Sequence, residues 1–106
     1  MYLHLGQNTV VLLDDIVGIF DMDTSTIAKT TRNFLSTAEK KGDIVSVSNE
    51  LPKTFIVCKA PSLPNGRIIY LSQISSPTLL KRAGFLSETH HKYKHEPHYP
   101  AAEWRT

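Results

Sequence analysis

Few side chains in this 106-residue sequence have a type and spacing that do covalent chemistry, and those few read better as structure. The single cysteine, Cys58, lies in the apolar run Thr54-Phe55-Ile56-Val57-Cys58. A reactive thiol needs a nearby cation or base to lower its pKa. Lys59 is next in the chain, but successive side chains of a strand point to opposite faces, so Cys58 is expected to be a small buried hydrophobe. Asp14-Asp15 and the pair Asp21/Asp23 are metal-ligand types. Carboxylates beside turns and ahead of a helix more often cap it and sit well at the positive end of its dipole. His90, His91, His95 and His98 cluster near the end of the chain. His91 and His95 have the i,i+4 spacing of a zinc pair on a helix. Pro97 and Pro100 interrupt any long helix there, and a loose segment lacks the second layer of groups that orients metal ligands. Nothing in the sequence matches a Gly-rich phosphate loop, GxSxG, HExxH or CxxC. The sequence therefore predicts no enzyme, no catalytic residue, no metal site and no cofactor.

The long cations remain, and the chemistry they suit is contact with phosphate. Lys29, Arg32 and Lys40 fall on the polar side of a helical pattern. Lys53 follows Pro52, Lys59 and Arg67 flank the turn Pro64-Asn65-Gly66, and Lys81 and Arg82 belong to a second helical pattern. The net charge of +2 and pI near 8.8 make a mild basic bias, which permits nucleic-acid binding without demanding it. Each cluster is weak alone. A ring or dimer would repeat it by symmetry. The candidate DNA-binding residues are Lys29, Arg32, Lys53, Lys59, Arg67 and Arg82.

The elements that would position these residues can be read from pattern. Tyr2 to Leu5 and Thr9 to Leu12 predict two short strands joined by a tight turn, with Gly6 and Asn8 as the residues that tolerate φ > 0. Ile16-Val17-Gly18-Ile19-Phe20 predicts a strand buried on both faces, and Gly18 inside it predicts a close approach by a neighbouring group. From about Thr26 to Lys41, Ile27, Thr31, Phe34, Leu35 and Ala38 share one helical face, with Gly42 as the C-terminal cap. Ile44 to Val47 predicts a strand. Thr54 to Cys58 and Arg67 to Ser72 predict a hairpin around the Pro61–Gly66 turn. Ser76 suits an N-cap and Pro77 the first position of a second helix, with Leu79, Leu80, Ala83 and Leu86 on its apolar side. The fold class predicted is α+β: a small antiparallel or mixed sheet, one long amphipathic helix and a second, C-terminal helix.

One domain, residues 1–87, is expected, followed by a polar, flexible tail over residues 88–106 rich in His, Lys, Glu and Pro, with Tyr99 and Trp104 as isolated aromatics. The tail is a candidate for docking to a protein partner and ordering on binding. The opening Met1 to Gly6 has neither the basic nor the long apolar stretch of a signal peptide, and no run reaches the ~18–20 apolar residues of a membrane span. With a lone cysteine, these features predict a cytoplasmic protein.

The stretch Met1-Tyr2-Leu3-His4-Leu5-Gly6 through Asp14-Asp15-Ile16-Val17-Gly18-Ile19-Phe20-Asp21 resembles the start of the extracellular matrix regulatory protein B family of Firmicutes. So do Pro52-Lys53-Thr54-Phe55-Ile56-Val57 and Ile69-Tyr70-Leu71-Ser72 leading into Ser75-Ser76-Pro77-Thr78-Leu79-Leu80-Lys81-Arg82-Ala83. The resemblance covers residues 1 to 87. It implies a regulator of biofilm matrix genes. The related protein A is similar to a transcriptional activator that assembles into rings and wraps DNA through arginines. This chain departs from that relative. It has Asn49-Glu50-Leu51-Pro52 and only Lys53 where the relative carries arginines, and Asp15 where the relative is basic. Acidic residues at such positions oppose phosphate by like-charge repulsion. Two readings follow: an oligomeric DNA-binding regulator of matrix gene expression, and a protein-interaction module that regulates the same genes without touching DNA.

Overall fold

A computed structural model describes residues 1–84. The chain is α+β, as the pattern predicts. It opens with strand β1 (Tyr2–Gly6) and β2 (Thr9–Leu12), an antiparallel hairpin forming a sheet of its own. The register pairs Tyr2 with Leu12, Leu3 with Val11 and His4 with Val10, and slips between His4 and Gly6. That slip moves the turn one residue earlier than expected: Gly6 and Gln7 take positive φ, and Asn8 does not. His4 Nε2 lies 2.8 Å from the Gln7 carbonyl oxygen and closes the turn.

A 3-10 turn, Leu13–Asp15, leads into β3 (Ile16–Asp21). A single turn α1 (Met22–Ser25) precedes the helix that periodicity predicts from about Thr26, and that helix, α2 (Lys29–Lys40), starts later than expected. The break is the work of short polar side chains, which compete for backbone bonds. Asp21 caps α1 by accepting from Thr24 N at 2.9 Å, and the Thr26 hydroxyl donates back to the Met22 carbonyl, ending the turn. Ile27, expected on the apolar face, stands in the break and is 76% exposed. Phe34, Leu35 and Ala38 face the core as expected. Gly42 N bonds the Glu39 carbonyl and Asp43 N bonds the Ala38 carbonyl. This is a Schellman cap, for which Gly42 supplies the left-handed residue at φ 78.

The chain continues through β4 (Ile44–Ser46), β5 (Thr54–Lys59), β6 (Arg67–Ser72) and α3 (Ser76–Arg82). Ser75, not Ser76, is the N-cap of α3. Its hydroxyl bonds that of Thr78, while Ser76 is buried inside the helix. The larger sheet has the order β3-β5-β6-β4. It is antiparallel except where β4 lies parallel to β6, so α2 carries the chain from one edge strand to the other. β5 and β6 form the expected hairpin, with Lys59 opposite Arg67.

The alternation of side chains gives this sheet two covered faces. On one, Phe20, Phe55 and Ile69 pack under α2 with Ala38. On the other, Ile19, Ile56 and Cys58 pack with Leu3, Leu5, Val11, Val47 and Leu79 from the hairpin, the chain after β4, and α3. Burial on both faces is why Thr54 to Cys58 reads as a continuous apolar run. Cys58 is buried, and burial, with Asp15 as the lesser cause, pushes its thiol up to about 12. It is a packed hydrophobe at neutral pH. The expectations for Leu86, for the domain limit at residue 87 and for the segment 88–106 lie outside the described residues.

Candidate nucleic-acid interface

The strands distribute the candidate cations to separate places. β5 begins just after Lys53 and ends at Lys59, so the two lie at opposite ends of one strand, ~20 Å apart by strand rise. Lys53 is tied by its backbone alone: its N–H donates to Ser72 O, and its carbonyl accepts from Met22 N, both at 2.8 Å. This puts Lys53 beside the start of α1. Lys29 opens α2 shortly after α1 in the chain, and Arg32, one turn further on, shares a groove with Met22 and Thr26. Lys59, Arg67 and Lys41 gather at the other end. Arg82, with Lys81, closes α3 on the hairpin side, across the sheet from α2. The structure thus brings Lys29, Arg32 and Lys53 to one end and Lys59 and Arg67 to the other, with Arg82 apart from both.

Two of the six are also engaged within the fold. Arg32 Nη1 donates to the carbonyls of Thr26 and Ile27, at 2.9 and 2.6 Å, and so caps the break between α1 and α2. Arg67 Nε donates to Asp43 Oδ2 at 3.0 Å, with the guanidinium over the Phe34 ring, 5.0 Å from its centroid. Such a stacked, hydrogen-bonded arginine is oriented in advance, and its remaining N–H groups suit bidentate recognition of an oxyanion. Arg67 keeps 27% of its side chain exposed.

Asp43 is the residue that sequence reasoning missed. It is buried directly after the Gly42 cap and accepts from Asn65 Nδ2 at 3.0 Å as well as from Arg67. Asn65 holds its carboxyl below the usual carboxylate range. Burial opposes this, and the hydrogen bond and charge of Arg67, with Lys41, add to the lowering. The available signal was the pair of turn signatures, Gly42-Asp43 and Asn65-Gly66-Arg67, which sequence alone does not place side by side. Because Asp43 is more acidic folded than unfolded, it favours the fold fully above its ordinary value of 3.8. That contribution fades as pH falls through the lower folded value. We expect the melting temperature of Asp43→Asn to lie below that of the wild type at neutral pH, with the gap closing under acid. A gap that stays constant across a pH series of thermal melts would contradict this role.

Acidic groups stand near both cation clusters. Asp21 caps α1 and Asp23 lies in its first turn, at the Lys53 end. Asp14 and Asp15 precede Ile16, which pairs with Cys58 next to Lys59. An open groove of about 570 Å³ runs between α2 and β4, with Leu35, Ile44 and Leu71 in its lining and Arg32 and Glu39 as its charged groups. Among the described residues, no three His, Cys, Asp or Glu gather as a metal site, and no helix is long and apolar enough to cross a membrane.

No family model matches the chain. The sequence is 40% identical over 88 residues to a protein of Bacillus subtilis (strain 168) described as extracellular matrix regulatory protein B. The alignment takes in 83% of this chain and 96% of that protein.

Proposed function

This chain belongs to the extracellular matrix regulatory protein B family, and we propose that it is a cytoplasmic regulator of biofilm matrix gene expression that assembles into a homo-oligomer and binds DNA. The observation that carries the reading is the 40% identity across nearly the whole of a protein named as a matrix regulator. The DNA step requires more than one copy. A protomer with basic residues at both ends of one sheet, each interleaved with carboxylates, offers a duplex little alone. Copies related by symmetry would align like ends into a continuous track.

Binding of this kind is mainly backbone electrostatics. Affinity should fall steeply with salt, each phosphate contact contributing about 0.9 to the log–log slope. A gel shift of an AT-rich duplex with the full chain tests it. The expected result is a shift at low salt that weakens at moderate salt. Lys53→Glu should cost about tenfold in affinity and reduce the salt slope by about one. Lys53 suits this test because among the described residues its side chain makes no hydrogen bond or ion pair, so its loss should leave thermal stability unchanged. No shift at low salt with micromolar protein would end the DNA reading.

A second reading has its own observation. Leu51 stands 86% exposed in the loop after Asn49-Glu50, an apolar tip beside a carboxylate where the DNA-wrapping relative is expected to be basic. A protein partner would take such a tip by burying it. If the gel shift fails, a pull-down comparing the full chain with Leu51→Asp decides whether this loop recruits a partner.

A further inference from the structure

We propose that the outward face of the β1–β2 hairpin, carrying Tyr2, His4, Val10 and Leu12, seats a second copy of this chain, hairpin face to hairpin face. The proposal rests on the assembly reading above and names one interface of that assembly.

The register puts these four residues on one face: Tyr2 is directly opposite Leu12, and His4 directly opposite Val10. The alternate residues Leu3, Leu5 and Val11 point into the core. Tyr2 is 69% exposed, Val10 51% and Leu12 42%, with Met1 exposed beside them. Cross-strand pairs of large apolar residues stabilise a sheet when something covers them, and in the single protomer water does.

The chemistry of the face selects its occupant. From Met1 to Leu13 the sequence contains no Asp, Glu, Lys or Arg. Exposed sheets are commonly protected by charges of this kind. A nucleic acid finds no lysine or arginine here, and a charged peptide finds no side-chain counter-charge. An uncharged, apolar surface of the same shape does fit, and a two-fold contact supplies one. Under a two-fold axis parallel to the strands, Tyr2 of one copy lies against Leu12 of the other and His4 against Val10, aromatic on aliphatic. Area agrees. The exposed parts of Met1, Tyr2, Val10 and Leu12 amount to about 500 Å² per copy, so complete burial of these four in the pair would remove at most about 1,000 Å², the lower limit of a specific interface. The face is also rigid in advance. Its inner residues are packed, and Ser72 Oγ donates to the Leu5 carbonyl at 2.7 Å, so little ordering cost is added on binding.

The test compares full-length wild type with Val10→Glu by sedimentation velocity over a concentration series. Val10 is outside both buried clusters, so the variant should keep the wild-type melting temperature within a few degrees. The expected result is a smaller species, with the dissociation constant of the contact raised about tenfold or more, because a carboxylate is forced into an apolar interface. Val10→Cys, treated with a short bis-maleimide, provides a second readout that introduces no charge. Cys58 is buried, and a covalent dimer should form that is absent in the wild type. If wild type and Val10→Glu are multimers of the same mass and Val10→Cys does not cross-link, this interface is wrong while assembly stands. A wild type that remains a protomer at every concentration overturns both, and leaves the face to a different protein or to the chain's own C-terminal segment.

Discussion

Gly18→Val is expected to lower the melting temperature by at least about 10 °C. Gly18 sits mid-strand in β3, and a Cβ built there would stand 2.4 Å from Cε2 and Cζ of Phe20. The φ of Gly18 is not positive, so the requirement is for space and not for an unusual backbone. The Phe20 ring lies over Gly18 and stacks on that of Phe55, its cross-strand partner, at 5.0 Å and 21°. These two rings form the floor on which α2 packs through Phe34, Leu35 and Ala38. A side chain at position 18 must expel the Phe20 ring or push the strands apart. Overpacking costs about 1–3 kcal/mol, and loss of the ring pair adds about 0.5–1.5 kcal/mol. Pairing Gly18→Ala with Phe20→Leu should recover part of the loss suffered by Gly18→Ala alone, because the smaller side chain vacates the space. Thermal melts followed by circular dichroism would show both effects, and a Gly18→Val melt near that of the wild type would mean that Phe20 lies elsewhere.

Ser72→Ala is expected to cost about 2–4 kcal/mol, from two hydrogen-bonding groups left without their partner in a dry place. Ser72 is fully buried. Its hydroxyl donates to the Leu5 carbonyl at 2.7 Å and accepts from Ile74 N at 3.0 Å. Opposite it in register stands Thr54, also fully buried, whose hydroxyl donates to the Ile74 carbonyl at 2.7 Å. The two hydroxyls together hold both polar groups of Ile74 and stitch the small hairpin to the central sheet. The loss should therefore be local as well as global. Hydrogen exchange should show faster exchange at the Ile74 amide, and also in β1 and β2, beyond what the fall in stability explains. If the hairpin carries the copy-to-copy contact, Ser72→Ala should weaken assembly too, since a loosened hairpin must be reordered before it can dock. Unchanged exchange in the hairpin would mean that Leu3, Leu5 and Val11 hold it without help from Ser72.

Some of this architecture was legible from local pattern because its causes are local. The β5–β6 hairpin follows from two β-branched runs about Asn65-Gly66, and the end of α2 follows from Gly42. The apolar side of α2 follows from the spacing of Phe34, Leu35 and Ala38. The predicted helical start at Thr26 failed because the side chains of Asp21 and Thr26 bond the backbone nearby, a competition that hydrophobic periodicity does not register. The site was less legible than the fold. Lys53 and Lys59 look close in the sequence and lie at opposite ends of a strand. Arg67 looks like a free cation and is oriented by Asp43, 24 residues away. Ser72 and Thr54 look like solvent-facing strand ends and are among the most buried groups in the protein. Each of these depends on which distant element lands alongside, and that is decided by the sheet order.

On the function proposed, several copies of this chain act together on DNA. Sedimentation velocity of the full chain, alone and with a fluorescent AT-rich duplex at low salt, tests it directly. The expected result is a species several times the protomer mass of 11.9 kDa that carries the duplex with it and releases it as salt is raised. A lone 11.9 kDa boundary that leaves the duplex sedimenting by itself would contradict it.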